Sequence, residues 1–189
     1  GFSCDNAYIP YSQTVTAAGH STVYTGSVPA ISGIMGNDWY DRSLGKSVYC
    51  AEDASVKTIG GSPNAQPMSP KNLQVTTICD EQRIATNFKS KTIGIAIKDR
   101  GGILPAGQSA NAAYWYDAST GNWVSSTYYM NELPSWAKSF NDKKIPDSLF
   151  NLGWNTLYPT NTYILSDEDD KNYEGKSSAD SKPVFPHNI

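Results

Sequence analysis

The chain has 189 residues, 39% hydrophobic and only 17% charged, with a formal net charge of −3. That length suits one domain burying roughly 70% of its unfolded surface, and 12% aromatic residues are too many for a disordered chain. Fifteen basic residues against 18 acidic ones leave no basic stripe for a nucleic acid, and no stretch approaches the roughly 18 consecutive apolar residues of a membrane span.

The sequence opens on GFSCDNAYIPYS with no initiator Met or signal peptide and stops within KPVFPHNI, so it reads as a fragment or a processed piece. Residues 7–10 read as a short strand. TVTAAGHSTVYTG, 14–26, reads as a helix with a Ser/Thr-rich start and Gly26 as its stop. Residues 27–41 read as a Gly-punctuated loop, and SVYCAED, 47–53, as a short strand. The loop 60–70 ends in a helix start, with Ser69 as N-cap and Pro70 at the first helical position. Leu73, Ile84, Ala85 and Phe88 then follow at helical spacing through 71–88. Residues 92–98 form the clearest strand, a β-branched apolar run of the kind seen in central parallel strands, closed by a charged turn with two Gly. NAAYWYD and NWVSSTYY flank an ASTG turn and predict a hairpin, LPSWAKSFND predicts a short helix, and 166–182 reads as a solvated polar loop.

Two short motifs fail on inspection. Gly45-Lys46-Ser47 resembles the end of a phosphate loop, but Tyr40 stands where its first Gly belongs. Asp170, Asn172 and Gly175 resemble a calcium loop, but Glu174 and Ser181 occupy ligand positions that need other residues. Cys4, Cys50 and Cys79 have no CxxC spacing, and with 2 His they do not build a Cys/His zinc site. The odd Cys count, low charge and abundant Tyr, Ser and Thr point to a periplasmic or secreted home.

The segment PYSQTVTAAGHSTVYTGSVPAISGIMGNDWYD resembles the nucleophile region of the alkaline phosphatase superfamily. There a Thr or Ser opens a helix and a His follows four residues later, here Thr16 and His20. The run TG-x-x-P-x-x-x-GI-x-x-N follows, matched by Thr25, Gly26, Pro29, Gly33, Ile34 and Asn37. SKTIGIAIKDRGGILPAG resembles the KxR segment of the bacterial alkaline phosphatases that use Thr as nucleophile, and MSPKNL, DEQRIATN and ANAAYWYD extend the likeness over most of the chain. Type I phosphodiesterases and nucleotide pyrophosphatases are similar at the Thr and Asn, but do not share the Lys and Arg.

This resemblance implies an α/β fold: the N-terminal part of an alkaline-phosphatase-like sandwich with a mostly parallel central sheet plus a β-hairpin. Residues 1–101 would be the nucleophile-bearing core part and 102–189 a hairpin-and-helix insertion or cap. It also implies hydrolysis of phosphate monoesters through a phosphothreonine, as part of a longer chain. Thr16 would be the nucleophile and a metal ligand, and Asn37, Lys98 and Arg100 would hold the phosphoryl oxygens. Two zinc ions are implied in the full-length enzyme and none in the fragment, since the family's Asp and His ligands are not recognisable here and His187 matches no ligand motif. Substrates would be small phosphorylated molecules, with no nucleic-acid partner and no membrane span; the oligomeric state is left open.

The chemistry agrees with that assignment. A Thr hydroxyl needs activation at neutral pH, and a helix start offers free N–H groups and partial positive charge to a phosphoryl oxyanion. Lys98 and Arg100, read as alternating along a strand end, would point to one face and suit a dianionic monoester. Other readings stay open: Thr16 as a plain helix start, His20 as a packed structural His, Asn37 as a turn residue, and Lys98 and Arg100 as a solvated strand end. Asp99 is read as structural. Cys4 and Cys50 are read as a disulfide bracing the site with Cys79 free, or else as two free thiols. A phosphodiesterase, or a metal-free binding module, is the alternative function.

Overall fold

A computed structural model of the chain describes residues 1–150, 152–177 and 179–187. The chain divides into two compact units, Gly1–Ser139 and Phe140–Ile189.

The strand expected at 7–10 does not form; that stretch is exposed and irregular, and no other described residue takes its backbone hydrogen bonds. The first element is α1 (Thr16–Thr25), ended where Gly26 turns to φ 65°. Residues 27–41, expected as a loop, hold two elements. Pro29 starts the short helix α2 (Pro29–Ser32), and β1 (Asp38–Asp41) pairs antiparallel with β2 (Lys46–Tyr49), Trp39 opposite Val48. Elements of four residues carry too little periodicity to stand out in a sequence.

The main sheet has the order β3 (Thr58–Ile59), β6 (Asn122–Ser126), β5 (Ala112–Asp117), β4 (Ile93–Ala96). β4 and β5 run parallel, with Ile93 opposite Ala112, while the β5–β6 and β3–β6 pairings are antiparallel. The architecture is α/β as expected, with a mixed sheet and a separate two-stranded hairpin. The predicted hairpin is β5–β6. The predicted short helix is α5 (Ser135–Asn141), where Ala137 packs with Leu133 and Tyr114 and Trp136 sets its ring edge-on to Tyr114 at 5.2 Å.

The helix predicted with Ser69 as its N-cap starts eight residues later. α3 is Ile78–Ala85, opened by Thr77 and Asp80 in a reciprocal capping box. Ser69 instead donates to the Asp53 carboxylate at 2.6 Å and accepts from the Lys71 N–H at 3.2 Å. Its hydroxyl is committed to a buried acid and does not start a helix.

The two glycines expected to close a turn after β4 lie inside a helix, α4 (Asp99–Ala106), which carries the chain over to the parallel strand β5. Glycine is required here for contact. A Cβ on Gly94 of β4 would collide with the Gly102 carbonyl, and one on Gly102 would lie 3.3 Å from the Tyr114 carbonyl oxygen. Strand and helix backbones therefore touch. We expect Gly94→Ala to lower stability by about 1–3 kcal/mol through overpacking. Urea unfolding followed by circular dichroism checks this, and an unchanged midpoint would contradict it.

β4 is parallel as expected, but it lies at the edge of the described sheet rather than in its centre. Gly94 and Ala96 face α4, while Ile93, Ile95 and Ile97 are 56%, 61% and 72% exposed. The main core lies between α1, α4 and the sheet, where Ala17, Ile103, Leu104, Ala113, Trp115 and Val124 meet.

The second unit contains α6 (Ile145–Phe150), a 3₁₀ turn at Thr160–Thr162, and an isolated bridge between Trp154 and His187. His187 bonds Asp180 through Nδ1 at 2.7 Å and stacks edge-on with Phe185 at 4.5 Å. Among the described residues, no helix is long and apolar enough to cross a membrane.

Candidate functional site

Thr16 is the first residue of α1. The N-cap, Val15, has no side chain that accepts a hydrogen bond, so the N–H groups of the first turn must find partners elsewhere. Asn37, just before β1, takes one of them: the Ala17 N–H donates to Asn37 Oδ1 at 3.0 Å. That bond orients the Asn37 amide and leaves its Nδ2 hydrogens to donate to another group. The backbone of Asn37 is held in turn by the Cys50 N–H, which donates to its carbonyl at 2.9 Å. The β1–β2 hairpin thus clamps Asn37 against the start of α1.

His20, expected as a packed residue, is exposed. Its Nδ1–H donates to the Thr16 carbonyl at 2.8 Å, which ties the first turn together without burying the ring.

Lys98 and Arg100 do not alternate along a strand. β4 ends at Ala96, Lys98 is the exposed N-cap of α4, and Arg100 lies in that helix's first turn. The chain turns because Asp99 begins the helix while Lys98 is still extended, at φ −88° and ψ 133°. The charges therefore sit at a helix N-terminus beyond the carboxyl end of a parallel strand, where ligands of open α/β sheets bind. α4 packs on α1, and a Cβ on Gly101 would lie 4.0 Å from His20 Nε2.

Arg100 reaches the hairpin instead of solvent. Its Nη1 donates to the Tyr49 hydroxyl at 2.7 Å, and the same hydroxyl donates to Asp99 Oδ1 at 2.5 Å. Asp99 also accepts the Arg100 backbone N–H. Burial, reinforced by the neighbouring Asp99 carboxylate, holds the Tyr49 hydroxyl well above its ordinary pKa, so it remains a donor. Burial, with the charge of Asp99, pushes the Cys50 thiol up to about 12, which keeps it protonated and inert. Asn37 is thus joined to the first turn of α1 through the Ala17 N–H, and Arg100 is joined to Asn37 through Tyr49 and Cys50. On the sequence alone Asp99 reads as structural, and Tyr49 carries no signal beyond a place in a short strand.

The Cys4–Cys50 bridge is not formed. All three thiols are free, with Cys4 exposed in the irregular N-terminal stretch and Cys50 wholly buried in the core. Among the described residues, no group of three or more His, Cys, Asp or Glu side chains could hold a metal ion. Thr16, Asn37, Lys98 and Arg100 supply a hydroxyl, an amide and two cations, which do not make a metal centre by themselves.

A profile of the family described as type I phosphodiesterase / nucleotide pyrophosphatase matches residues 1–180. The chain belongs to that family. It is 57% identical over 187 residues to "Alkaline phosphatase PhoV" of Synechococcus elongatus, covering 99% of this chain and 34% of that protein. It is 49% identical over 188 residues to "Alkaline phosphatase PafA" of Elizabethkingia meningoseptica, covering 99% and 34%. The crystal structure of wild-type PafA superposes with a TM-score of 0.90 at 47% identity, over 97% of this chain and 36% of PafA. A crystal structure of a PafA variant, with one threonine, one asparagine, one lysine and one arginine substituted, superposes with a TM-score of 0.92. The chain therefore spans about a third of the length of the curated relatives it matches.

Proposed function

We propose that this chain is the nucleophile-bearing part of a longer phosphomonoesterase. Thr16 Oγ attacks the phosphorus of a small phosphate monoester, the bond to the leaving alcohol breaks, and water then hydrolyses the phosphothreonine to release phosphate. Asn37 Nδ2, Lys98 and Arg100 hold the nonbridging oxygens as charge moves onto them, in a reaction that depends mostly on positioning and electrostatics.

The observation that carries this reading is Thr16 as first residue of a helix with no N-cap side chain, with Asn37 bonded into the same turn. The names of the relatives support it, as does the order Thr, Asn, Lys, Arg of the residues substituted in the PafA variant. A bare Thr hydroxyl requires activation. We assign that to two zinc ions, whose ligands other than Thr16 would come from polypeptide outside residues 1–189. The full-length protein would act in the periplasm or outside the cell.

The second reading is a phosphodiesterase or nucleotide pyrophosphatase, favoured by the description of the family itself. A monoester presents two negative charges on its nonbridging oxygens, a diester one, so Lys98 and Arg100 should matter more for the monoester. In the full-length protein, Lys98→Ala and Arg100→Ala should each lower kcat/KM for an aryl phosphate monoester by roughly ten- to a hundredfold, the worth of one charge-assisted contact. A matched diester should lose clearly less. Equal losses on both substrates would move the diesterase reading ahead.

A further inference from the structure

Arg100 is held in a way that a merely solvated helix-start arginine does not need. Its Nη1 is engaged by Tyr49 OH at 2.7 Å, its guanidinium lies 5.8 Å from the Tyr49 ring centroid, and Asp99 Oδ1 stands 3.9 Å from Nη1. Its Nε–H is shut from solvent and has no hydrogen-bond partner among the described residues. The Tyr49 hydroxyl is itself fixed from two sides, since it donates to Asp99 while accepting from Arg100. Asp99 also bonds the Arg100 backbone N–H. Side chain and main chain of one arginine are thereby tied into one closed set, anchored on the hairpin that holds Asn37.

We propose that Tyr49, braced by Asp99, is a positioning residue that pre-sets the Arg100 guanidinium for the phosphoryl group. The inference rests on the proposed role of Arg100 as a phosphate ligand. A flexible arginine would have to give up rotamer freedom each time it met substrate, whereas one already bonded through Nη1 meets it in place. The ammonium of Lys98 is exposed at the N-cap and has no such brace. The inference therefore concerns Arg100 alone.

The test is a double-mutant cycle in the full-length protein, reading kcat/KM for an aryl phosphate monoester and a matched diester. Tyr49→Phe keeps the ring packed against the core and removes only the hydroxyl. It should lower monoester kcat/KM by about five- to thirtyfold, and the diester value by less. In an Arg100→Ala background the same substitution should change monoester turnover by less than about twofold, because nothing is left to position. Asp99→Asn, which keeps the shape but drops the charge, should give a smaller loss that also vanishes in that background. Losses of equal size with and without Arg100 would overturn the inference, as would a Tyr49→Phe variant as active as wild type. If Arg100→Ala alone leaves monoester turnover unchanged, the reading of Arg100 as a phosphate ligand fails first and takes the inference with it. Should Tyr49→Phe fold poorly, the Asp99→Asn arm of the cycle decides the matter.

Discussion

In the full-length protein, Thr16→Ala should lower kcat/KM for an aryl phosphate monoester by about a thousandfold or more, while Thr16→Ser keeps a measurable part of the activity. In the proposed mechanism Oγ is the group that accepts the phosphoryl group, so without it only slow attack by water, aided by Asn37, Lys98 and Arg100, would remain. The loss should fall on monoester and diester alike, in contrast to the selective losses expected at Lys98 and Arg100. Stability should hardly change, since alanine is the better helix former and position 16 opens α1 half-buried rather than within the packed core. Acid-quenched enzyme should carry phosphate on Thr16 in the wild type and none in Thr16→Ala. Turnover of Thr16→Ala within tenfold of wild type would remove Thr16 as the nucleophile.

The largest loss of stability should come from Asp80→Ala, about 3–5 kcal/mol, the cost of breaking a buried charged network. Asp80 is 2% exposed. It accepts from the Thr77 N–H at 2.9 Å, the Ser109 N–H at 2.7 Å, the Ser109 hydroxyl at 2.6 Å and the Gln108 N–H at 3.2 Å. It thus joins the start of α3 to the chain leaving α4, and alanine would strand those donors without water. Burial by itself would raise its pKa, but the hydrogen bonds from Ser109, Thr77 and Gln108 outweigh it and hold the carboxyl below its ordinary value.

Because the folded-state value is depressed, the stabilisation is present above the unfolded value of about 3.9 and is lost as pH falls through the folded one. Asp53 acts with the same sign. Burial opposes its charge, but bonds from Ser55, Ser69 and Lys71 bring it to about 2. Urea midpoints of wild type should therefore fall between about pH 4 and pH 2. Asp80→Asn should start less stable and fall less steeply over that window, since one of the buried carboxylates responsible is gone. A variant running parallel to wild type would show that Asp80 carries none of the acid sensitivity.

α1 was legible because two independent signals agree within a few residues: a Ser/Thr-rich start, and a glycine stop that needs the left-handed region. The β5–β6 hairpin was legible for a similar reason, since aromatic and β-branched runs flank a short polar turn. Thr16 and Asn37 could be named from motif order. The bond that ties Asn37 into that turn could not, because a hydrogen bond from the Ala17 N–H to a residue 20 positions away exists only once the β1–β2 hairpin has folded back onto the helix. Ser69 shows how a local signal can mislead. Ser-Pro is a good helix start, yet a buried carboxylate 16 residues earlier claims the hydroxyl, and the stronger reciprocal cap at Thr77 and Asp80 takes over.

Local chemistry, acting over a few residues, determined the helix that Thr16 opens, the strand before Lys98 and the residue types available to a phosphate, while the α/β class followed from the family resemblance. Tertiary contact decided the rest. Gly101 and Gly102 look like turn residues until the strand they must touch is present, because the clash that demands glycine at 94 and 102 is with another element's backbone. Cys50 could be paired with Cys4 on paper, but the core encloses Cys50 and leaves Cys4 outside. Tyr49 carried no signal of its own. Its hydroxyl meets Asp99 and Arg100 across 50 and 51 residues of chain, and no pattern in the sequence encodes a meeting that arises only when a hairpin and a helix N-terminus pack together.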